Sequence, residues 1–372
     1  MKFSIEKKEI IVSLQNLFTI VPSKNTMPVL MNFLIDADEA ENSLTVTATD
    51  LDITSVLTIK AMVTEGGKFC VPAKNFIDVI NSLFDDVIYF EKNDDLLSVK
   101  CRRASFDILC PDYNQYPLVP EISFENAKKM EAESFSKMVS STSFAVSNDT
   151  NRQIFMGLFW KITPNYQVMA ATDGKKIAEF TLNGEYDVEE SVEVVVPTKG
   201  LIYLQKIINK DNPEIQVLME SKRISFKYGN TMIFSHVING TYPDYKRVMD
   251  VEHKKELIVN KKVFLESIKR VALMAGDDTF RVKFDISEDT FIVSAKNEES
   301  GDATDYVEDY SYSNEPISIA FNYRFIQSIF NVIETDEIFV KLGDGNAPVL
   351  FYNHGLDKNY ASRFLLMPLR IT

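Results

Sequence analysis

Apolar residues recur at i, i+3 or i+4, and i+7 in three stretches: Ile10, Leu14 and Leu17; Phe135, Val139 and (with a methyl in place of a larger group) Thr142; Phe264, Ile268 and Val271. That spacing marks one face of a helix. Each stretch follows a polar or charged lead-in suited to a helix start. The lead residues are 125 and 129 positions apart. Three further landmarks repeat at nearly the same period. Strand-like runs occupy residues 44–50, 166–173 and 291–296, the first two ending in a Thr-Asp turn. Apolar runs entering a second helix occupy 69–76, 194–201 and 319–325, with Pro72 and Pro197 expected in the first helical turn, where no N–H is missed. Closing runs occupy 105–109, 232–237 and 362–366, and their period-two alternation predicts half-buried strands. Tyr116-Pro117 and Tyr242-Pro243 follow the first two.

Four landmarks in one order predict three tandem copies of an antiparallel α+β unit with two helices each. The divisions fall near 127 and 252, giving repeats 1–127, 128–252 and 253–372.

Composition narrows the class. At 45% hydrophobic and 25% charged residues the chain reads as an ordinary globular protein. No window approaches the roughly 18 unbroken apolar residues of a membrane span. Met1-Lys2-Phe3-Ser4-Ile5-Glu6 has a charge but no apolar run behind it, so no secretory leader is expected. Cys70, Cys101 and Cys110 form an odd set without CxxC spacing, as reduced thiols of a cytoplasmic protein would. The net charge of -14 speaks against tight phosphate binding, but leaves room for basic residues gathered on one surface.

Catalytic chemistry finds no foothold. His236, His253 and His354 lack metal-ligand spacing, and no phosphate-binding glycine loop or nucleophile elbow occurs. Asp50 and Asp52 read as a turn capped by Asp side chains, since the second repeat keeps only Asp173 and the third neither. Gly343-Asp344-Gly345-Asn346 reads as a hairpin turn, and Asn239-Gly240 simply as a turn. No catalytic residue, metal or cofactor is expected.

Residues 366–372 (Leu-Met-Pro-Leu-Arg-Ile-Thr), 171–177 (Ala-Thr-Asp-Gly-Lys-Lys-Ile) and 239–248 (Asn-Gly-Thr-Tyr-Pro-Asp-Tyr-Lys-Arg-Val) closely resemble the bacterial β sliding clamps, the processivity subunits of DNA polymerase III. Met1-Lys2-Phe3 and Met27-Pro28-Val29-Leu30 are similar to them too, and the resemblance spans the whole chain. It implies three clamp repeats per chain and a head-to-tail dimeric ring around duplex DNA, with helices lining the hole and sheets outside. The partners it implies are DNA held without sequence preference, a second copy, the replicative polymerase, the clamp loader and other proteins bearing clamp-binding peptides. It implies no membrane partner and a cytoplasmic, nucleoid-associated place. A ring holds DNA by topology, which reconciles the function with an acidic chain.

Three sets of residues are implied by the resemblance. A partner-peptide pocket, taking peptides with a glutamine and a leucine-phenylalanine end, would use Phe155, Thr172, Gly174, Lys175, Lys176, Ile177, Pro243, Arg247, Val248, Asn322, Phe325, Met367, Pro368, Leu369 and Arg370. DNA-proximal groups would be Lys24, Arg152 and Gln153 in loops, together with Lys137 and Lys199 from a weakly basic helix lining that also counts Lys7, Lys8, Lys74, Lys206, Lys210, Lys262, Lys269, Arg270 and Arg324. A dimer seam would set Phe106 and Ile108 against Leu273 and Met274, with Lys74, Arg102 and Arg103 facing Glu298, Glu299 and Asp302. The chain departs from the family where His-Arg-Leu often stands, here Lys175-Lys176-Ile177, and in carrying Ile371 and Thr372 beyond the usual end. Taken without the resemblance, the residues also fit a repeat-built scaffold unrelated to DNA. An enzyme would need a polar cluster that breaks the repeat, and none is evident.

Overall fold

The computed structural model describes residues 1–119, 121–299, 301–354 and 360–371, without the side chain of Tyr360. Among them are seven α-helices: α1 (Lys7–Leu17), α2 (Ala73–Ser82), α3 (Ala132–Thr142), α4 (Thr198–Ile207), α5 (Lys246–Met249), α6 (Lys261–Val271) and α7 (Tyr323–Val332). All nine residues of the three helical stretches are buried, on α1, α3 and α6. The second helices α2, α4 and α7 each follow a strand without a loop. Pro72 and Pro197 stand one residue before the helix, as the last residues of their strands, rather than inside the first turn. Their fixed φ serves the turn from strand to helix, and Asn322 makes the same turn in the third repeat by accepting from Arg324 N at 2.9 Å.

The first and third repeats share a device for the second helix's end. Lys7 Nζ donates to the carbonyls of Asn81 and Leu83 at 2.8 and 2.6 Å, and Lys261 Nζ donates to Ile333 O at 2.7 Å. A cation on the unpaired carbonyls of a helix C-terminus is favoured by hydrogen bonding and by the helix dipole. Lys7 is therefore a structural cap and not part of a free basic lining.

By spatial contact the chain forms two compact units. One comprises Met1–Ser136 and Val196–Val237, the other Lys137–Val195 and Ile238–Thr372. The first holds a five-stranded sheet in the order Met62–Glu65, Lys2–Glu6, Val87–Asn93, Leu96–Cys101, Ala104–Leu109. Its eight-stranded sheet runs Lys128–Glu131, Glu214–Met219, Arg223–Tyr228, Thr231–His236, Ile53–Lys60, Ser43–Thr49, Asn32–Asp38, Gly67–Pro72. The nine-stranded sheet runs Val192–Pro197, Gly157–Ile162, Tyr166–Thr172, Lys176–Asn183, Tyr360–Leu366, Val349–Asn353, Glu337–Leu342, Lys255–Asn260, Tyr310–Tyr312. The second unit's four-stranded sheet runs Gly301–Tyr306, Phe291–Asn297, Arg281–Ile286, Ile317–Asn322.

The middle repeat thus has no sheet of its own. Its strand Thr231–His236 pairs antiparallel with Ile53–Lys60, and its strand Lys176–Asn183 pairs antiparallel with Tyr360–Leu366. Continuous ladders cross both covalent divisions, so the compact units cut elsewhere than the repeats do. The closing strands also depart from simple alternation: Phe364, Leu365 and Leu366 are all buried. Phe364 lies 6.0 Å from the Phe144 ring on one face, and Leu365 packs with Tyr245 and Met249 on the other. A strand covered on both faces needs no polar side.

Candidate functional site

The candidate peptide surface lies within the second unit. Its first wall is the hairpin between Tyr166–Thr172 and Lys176–Asn183. Thr172 Oγ1 donates to Lys176 O at 2.8 Å and accepts from Gly174 N at 3.0 Å. Asp173 Oδ1 accepts from the backbone N–H groups of Lys175 and Lys176 at 2.8 and 3.0 Å. The tight turn needs φ +88° at residue 174, which glycine reaches without a steric penalty. Lys176 is buried; its ammonium pairs with Asp173 Oδ2 at 2.5 Å and lies 4.5 Å from the Phe325 ring on α7. That cation–π contact fastens the hairpin to α7.

The C-terminal segment closes the site. Leu366 and Leu365 are in register with Lys176 and Ile177. Past the strand, Met367 N donates to Lys175 O at 2.9 Å and Leu369 N to Ala320 O at 2.7 Å. Met367–Leu369 is thereby laid between the hairpin and the strand leading to Asn322. The third wall is the segment 242–249. The Tyr242 ring stacks on Phe159 at 5.1 Å and meets Phe155 edge-on at 6.2 Å. Tyr245 and Met249 pack with Ile177, Leu350 and Leu365. These walls present apolar groups outward, Val248 and Met367 at 37% and 40% exposed, among the charged groups of Lys175, Arg247 and Arg370. Exposed Met beside branched aliphatics suits a surface that adapts to several peptides.

The expected pocket residues divide into two kinds. Thr172, Lys176 and Ile177 are buried members of the wall, and Asn322 is the cap of α7. Gly174, Lys175, Pro243, Val248, Met367 and Arg370 are exposed, while Phe155, Phe325, Pro368 and Leu369 are half-buried. Arg247 is exposed and bonded to Asp244 Oδ2 at 2.8 Å. Thr372 lies outside the described residues. Sequence reasoning passed over Tyr242, Tyr245, Glu179, Arg363 and Asp250. The last three form a network with Tyr245, and the signal for it was a lone carboxylate and a lone guanidinium inside two apolar strands.

The expected DNA-proximal groups are less free than their charges suggest. Lys199 pairs with Asp50 Oδ2 at 2.5 Å and donates to Ile20 O at 2.9 Å, which ties α4 to the segment leading to Lys24. Lys24 itself is exposed, as is Gln153, and Lys137 is half-buried on α3. Arg152 bonds to Asp149 Oδ2 at 3.0 Å and to Asp173 O at 3.1 Å, and lies 5.2 Å from the Phe155 ring. Asp149 is held below the usual carboxylate range first by the Asn151 N–H and then by Arg152. On the helices, Lys8 pairs with Glu6, Arg270 with Asp305, and Arg324 lies over the Phe280 ring. Lys210 falls beyond the end of α4. Lys74, Lys206, Lys262 and Lys269 are exposed.

At the expected seam, Leu273 is 80% exposed and Phe106 38%, while Met274 is half-buried. Ile108 is 7% exposed, covered within its own chain. The other exposed apolar group of strand Ala104–Leu109 is Leu109, which was not expected. Lys74, Arg103, Glu298 and Glu299 are exposed. Arg102 instead pairs with Asp86 in its own chain at 2.7 Å.

Three repeats sharing one helix-and-strand plan define a repeat-built clamp fold. The chain belongs to the DNA polymerase III β-subunit family: residues 1–120, 129–244 and 246–370 match the models of its N-terminal, central and C-terminal domains in turn. It is 27% identical to the "Beta sliding clamp" of Staphylococcus aureus over 380 residues, covering 100% of this chain and 99% of that one. The "Beta sliding clamp" of Rickettsia felis is 25% identical over 384 residues, covering all of both. Among solved structures, the DnaN sliding clamp of Bartonella birtlesii bound to griselimycin superposes with TM-score 0.93 at 26% identity. The DNA polymerase sliding clamp of Bacillus subtilis superposes with TM-score 0.88 at 25% identity, and both alignments cover 100% of each chain.

Proposed function

We infer that this chain is a DNA sliding clamp, a non-catalytic ring that encircles duplex DNA and tethers the replicative polymerase for processive synthesis. The observation that carries this is the match of three clamp domains, in order, over residues 1–120, 129–244 and 246–370. The repeats are divided near residues 127 and 252; the family ranges meet at 120–129 and at 244–246, the second a few residues before 252. Two chains close the ring head to tail. Strand Ala104–Leu109 is the outer strand of its sheet and carries exposed Phe106 and Leu109; strand Gly301–Tyr306 is the outer strand of another. Open sheet edges beside exposed apolar groups invite pairing with a second chain. Glu298 and Glu299 opposite Lys74 and Arg103 would fix the register rather than add much affinity.

The apolar surface around Val248 and Met367 receives short peptides from the polymerase, the clamp loader and other replication and repair proteins. Lys24, Lys137, Arg152, Gln153 and Lys199 stand nearest the DNA. Few free cations suit such a role, because strong phosphate contacts would impede sliding. The chain uses no cofactor, and the ring works in the cytoplasm on the nucleoid. No helix among the described residues is long and apolar enough to cross a membrane.

Light scattering and negative-stain imaging of the purified chain test the assembly. Two 42.4 kDa chains forming a closed ring with a central hole are expected. A compact monomer at micromolar concentration would return the fold to a scaffold unrelated to DNA.

A further inference from the structure

Strand Lys176–Asn183 lies inside its sheet, and Glu179 on it is 2% exposed. Burying a carboxylate is costly unless its oxygens are fully paired. Here Oε1 accepts from Arg363 Nε at 2.8 Å and Nη2 at 2.5 Å, and Oε2 accepts from the Tyr245 hydroxyl at 2.7 Å. Arg363 stands directly opposite in the ladder, and its Nη1 donates to Asp250 Oδ1 at 2.8 Å. Burial works against the Arg363 charge, but Glu179 and Asp250 outweigh it and raise the guanidinium pKa. Burial, with Glu179 adding to it, raises the Tyr245 hydroxyl far above the phenol range, so it stays a donor.

Tyr245 and Asp250 are the residues immediately before and after α5. This four-residue helix is too short to hold its own shape. One ion pair, its carboxylate buried and its guanidinium a quarter exposed, therefore anchors both of its ends. The helix buries Met249 and exposes Arg247 and Val248.

The other sheet junction shows that the ladder does not require an ion pair. Thr49 there repeats the bonds of Thr172, donating to Ile53 O at 3.0 Å and accepting from Leu51 N at 3.1 Å. Seven residues beyond Thr49 stands Val56, as Glu179 stands seven beyond Thr172, and opposite Val56 is Met232. A sheet of this plan closes with apolar side chains at that position. What Glu179 and Arg363 add is reach to both ends of α5.

We propose that Glu179 and Arg363 are positioning residues for the partner surface, holding α5 so that Val248 and Arg247 stand correctly beside Met367. The proposal rests on the reading of that surface as a peptide site. Without the pair, α5 samples other positions, and apparent affinity falls by the fraction of time it is misplaced.

The test replaces the pair by its apolar counterpart at the other junction, Glu179→Val with Arg363→Met, and separately makes Tyr245→Phe. A labelled Gln-x-x-Leu-Phe peptide is titrated, thermal unfolding is recorded, and amide exchange is followed across 246–250. The expected result is a double variant whose unfolding midpoint is kept or raised, with Kd about tenfold higher and exchange at α5 faster. Tyr245→Phe should raise Kd about threefold, and it decides the matter should the double variant not fold. Unchanged Kd and exchange in Tyr245→Phe and in a folded double variant would overturn the proposal. A wild-type chain that does not bind the peptide would overturn the partner-site reading instead, while α5 exchange would still report the positioning.

Discussion

Ending the chain after Leu366 separates the partner surface from the sheet that carries it. Strand Tyr360–Leu366 would keep its ladders to Lys176–Asn183 and Val349–Asn353. The truncation removes two backbone hydrogen bonds, Met367 N to Lys175 O and Leu369 N to Ala320 O. At roughly 0.5–1.5 kcal/mol each, their loss costs about 1–3 kcal/mol of local stability. Binding should suffer far more, since Met367, Pro368, Leu369 and Arg370 all leave. Loss of one well-packed anchor commonly costs about 2 kcal/mol or more, so affinity should fall at least about thirtyfold. Fluorescence polarisation with the labelled peptide gives Kd, and urea unfolding gives the midpoint. The reasoning is refuted if the truncated chain binds as the intact one does. It is equally refuted if the cut abolishes the cooperative unfolding transition, because the surface would then be inseparable from the fold.

Other expectations follow from individual residues. Burial pushes the Cys70 thiol up to about 12 and the Cys110 thiol up to about 11, and Cys101 is buried as well. Ellman's reagent at pH 8 should therefore find no fast-reacting thiol in the native chain and all three after denaturation; one fast thiol would contradict the burial. For both raised thiols the folded state holds its proton where the unfolded chain, with its ordinary value of 9.0, begins to lose it. Stability is thus intact below pH 9 and should decline from there towards pH 11, read as a falling urea midpoint, whereas a midpoint flat across that range would argue against it. Leu273→Asp places a charge on a side chain that is 80% exposed, so light scattering should show one chain instead of two at an unchanged urea midpoint. Lys261→Met removes the cation on Ile333 O and should cost about 1 kcal/mol, with faster amide exchange confined to the end of α7.

Much of the fold was legible because its signals are local. A helical face needs only i, i+3 and i+7, and Ile10, Phe135 and Phe264 each begin a stretch that is buried as expected. The turn at Thr172–Lys176 is likewise written in Thr, Asp and Gly side by side. The misjudged features depend on residues distant in sequence. Pro72 and Pro197 bend the chain one residue early because a strand runs straight into a helix. Lys7 reads as a surface cation until the end of α2 is brought beneath it. Ile108 alternates with its neighbours like a seam residue, but its own chain covers it. The middle repeat reads as one unit, yet its strands extend the sheets of both neighbours. Glu179 and Arg363, 184 residues apart, show nothing of their pairing until the ladder aligns them.

The central claim is topological, and a topological measurement tests it most directly. The chain, labelled at an exposed residue away from the seam, would be loaded by its own cell's clamp loader and ATP onto nicked circular plasmid. The complex would then be passed through a sizing column in high salt. The account predicts that label stays with the circle and is lost when one restriction cut makes the plasmid linear, because a ring slides off an end. Retention on linear DNA in high salt would mean that contacts rather than encirclement hold it. Loss from the intact circle would mean that it does not encircle DNA at all.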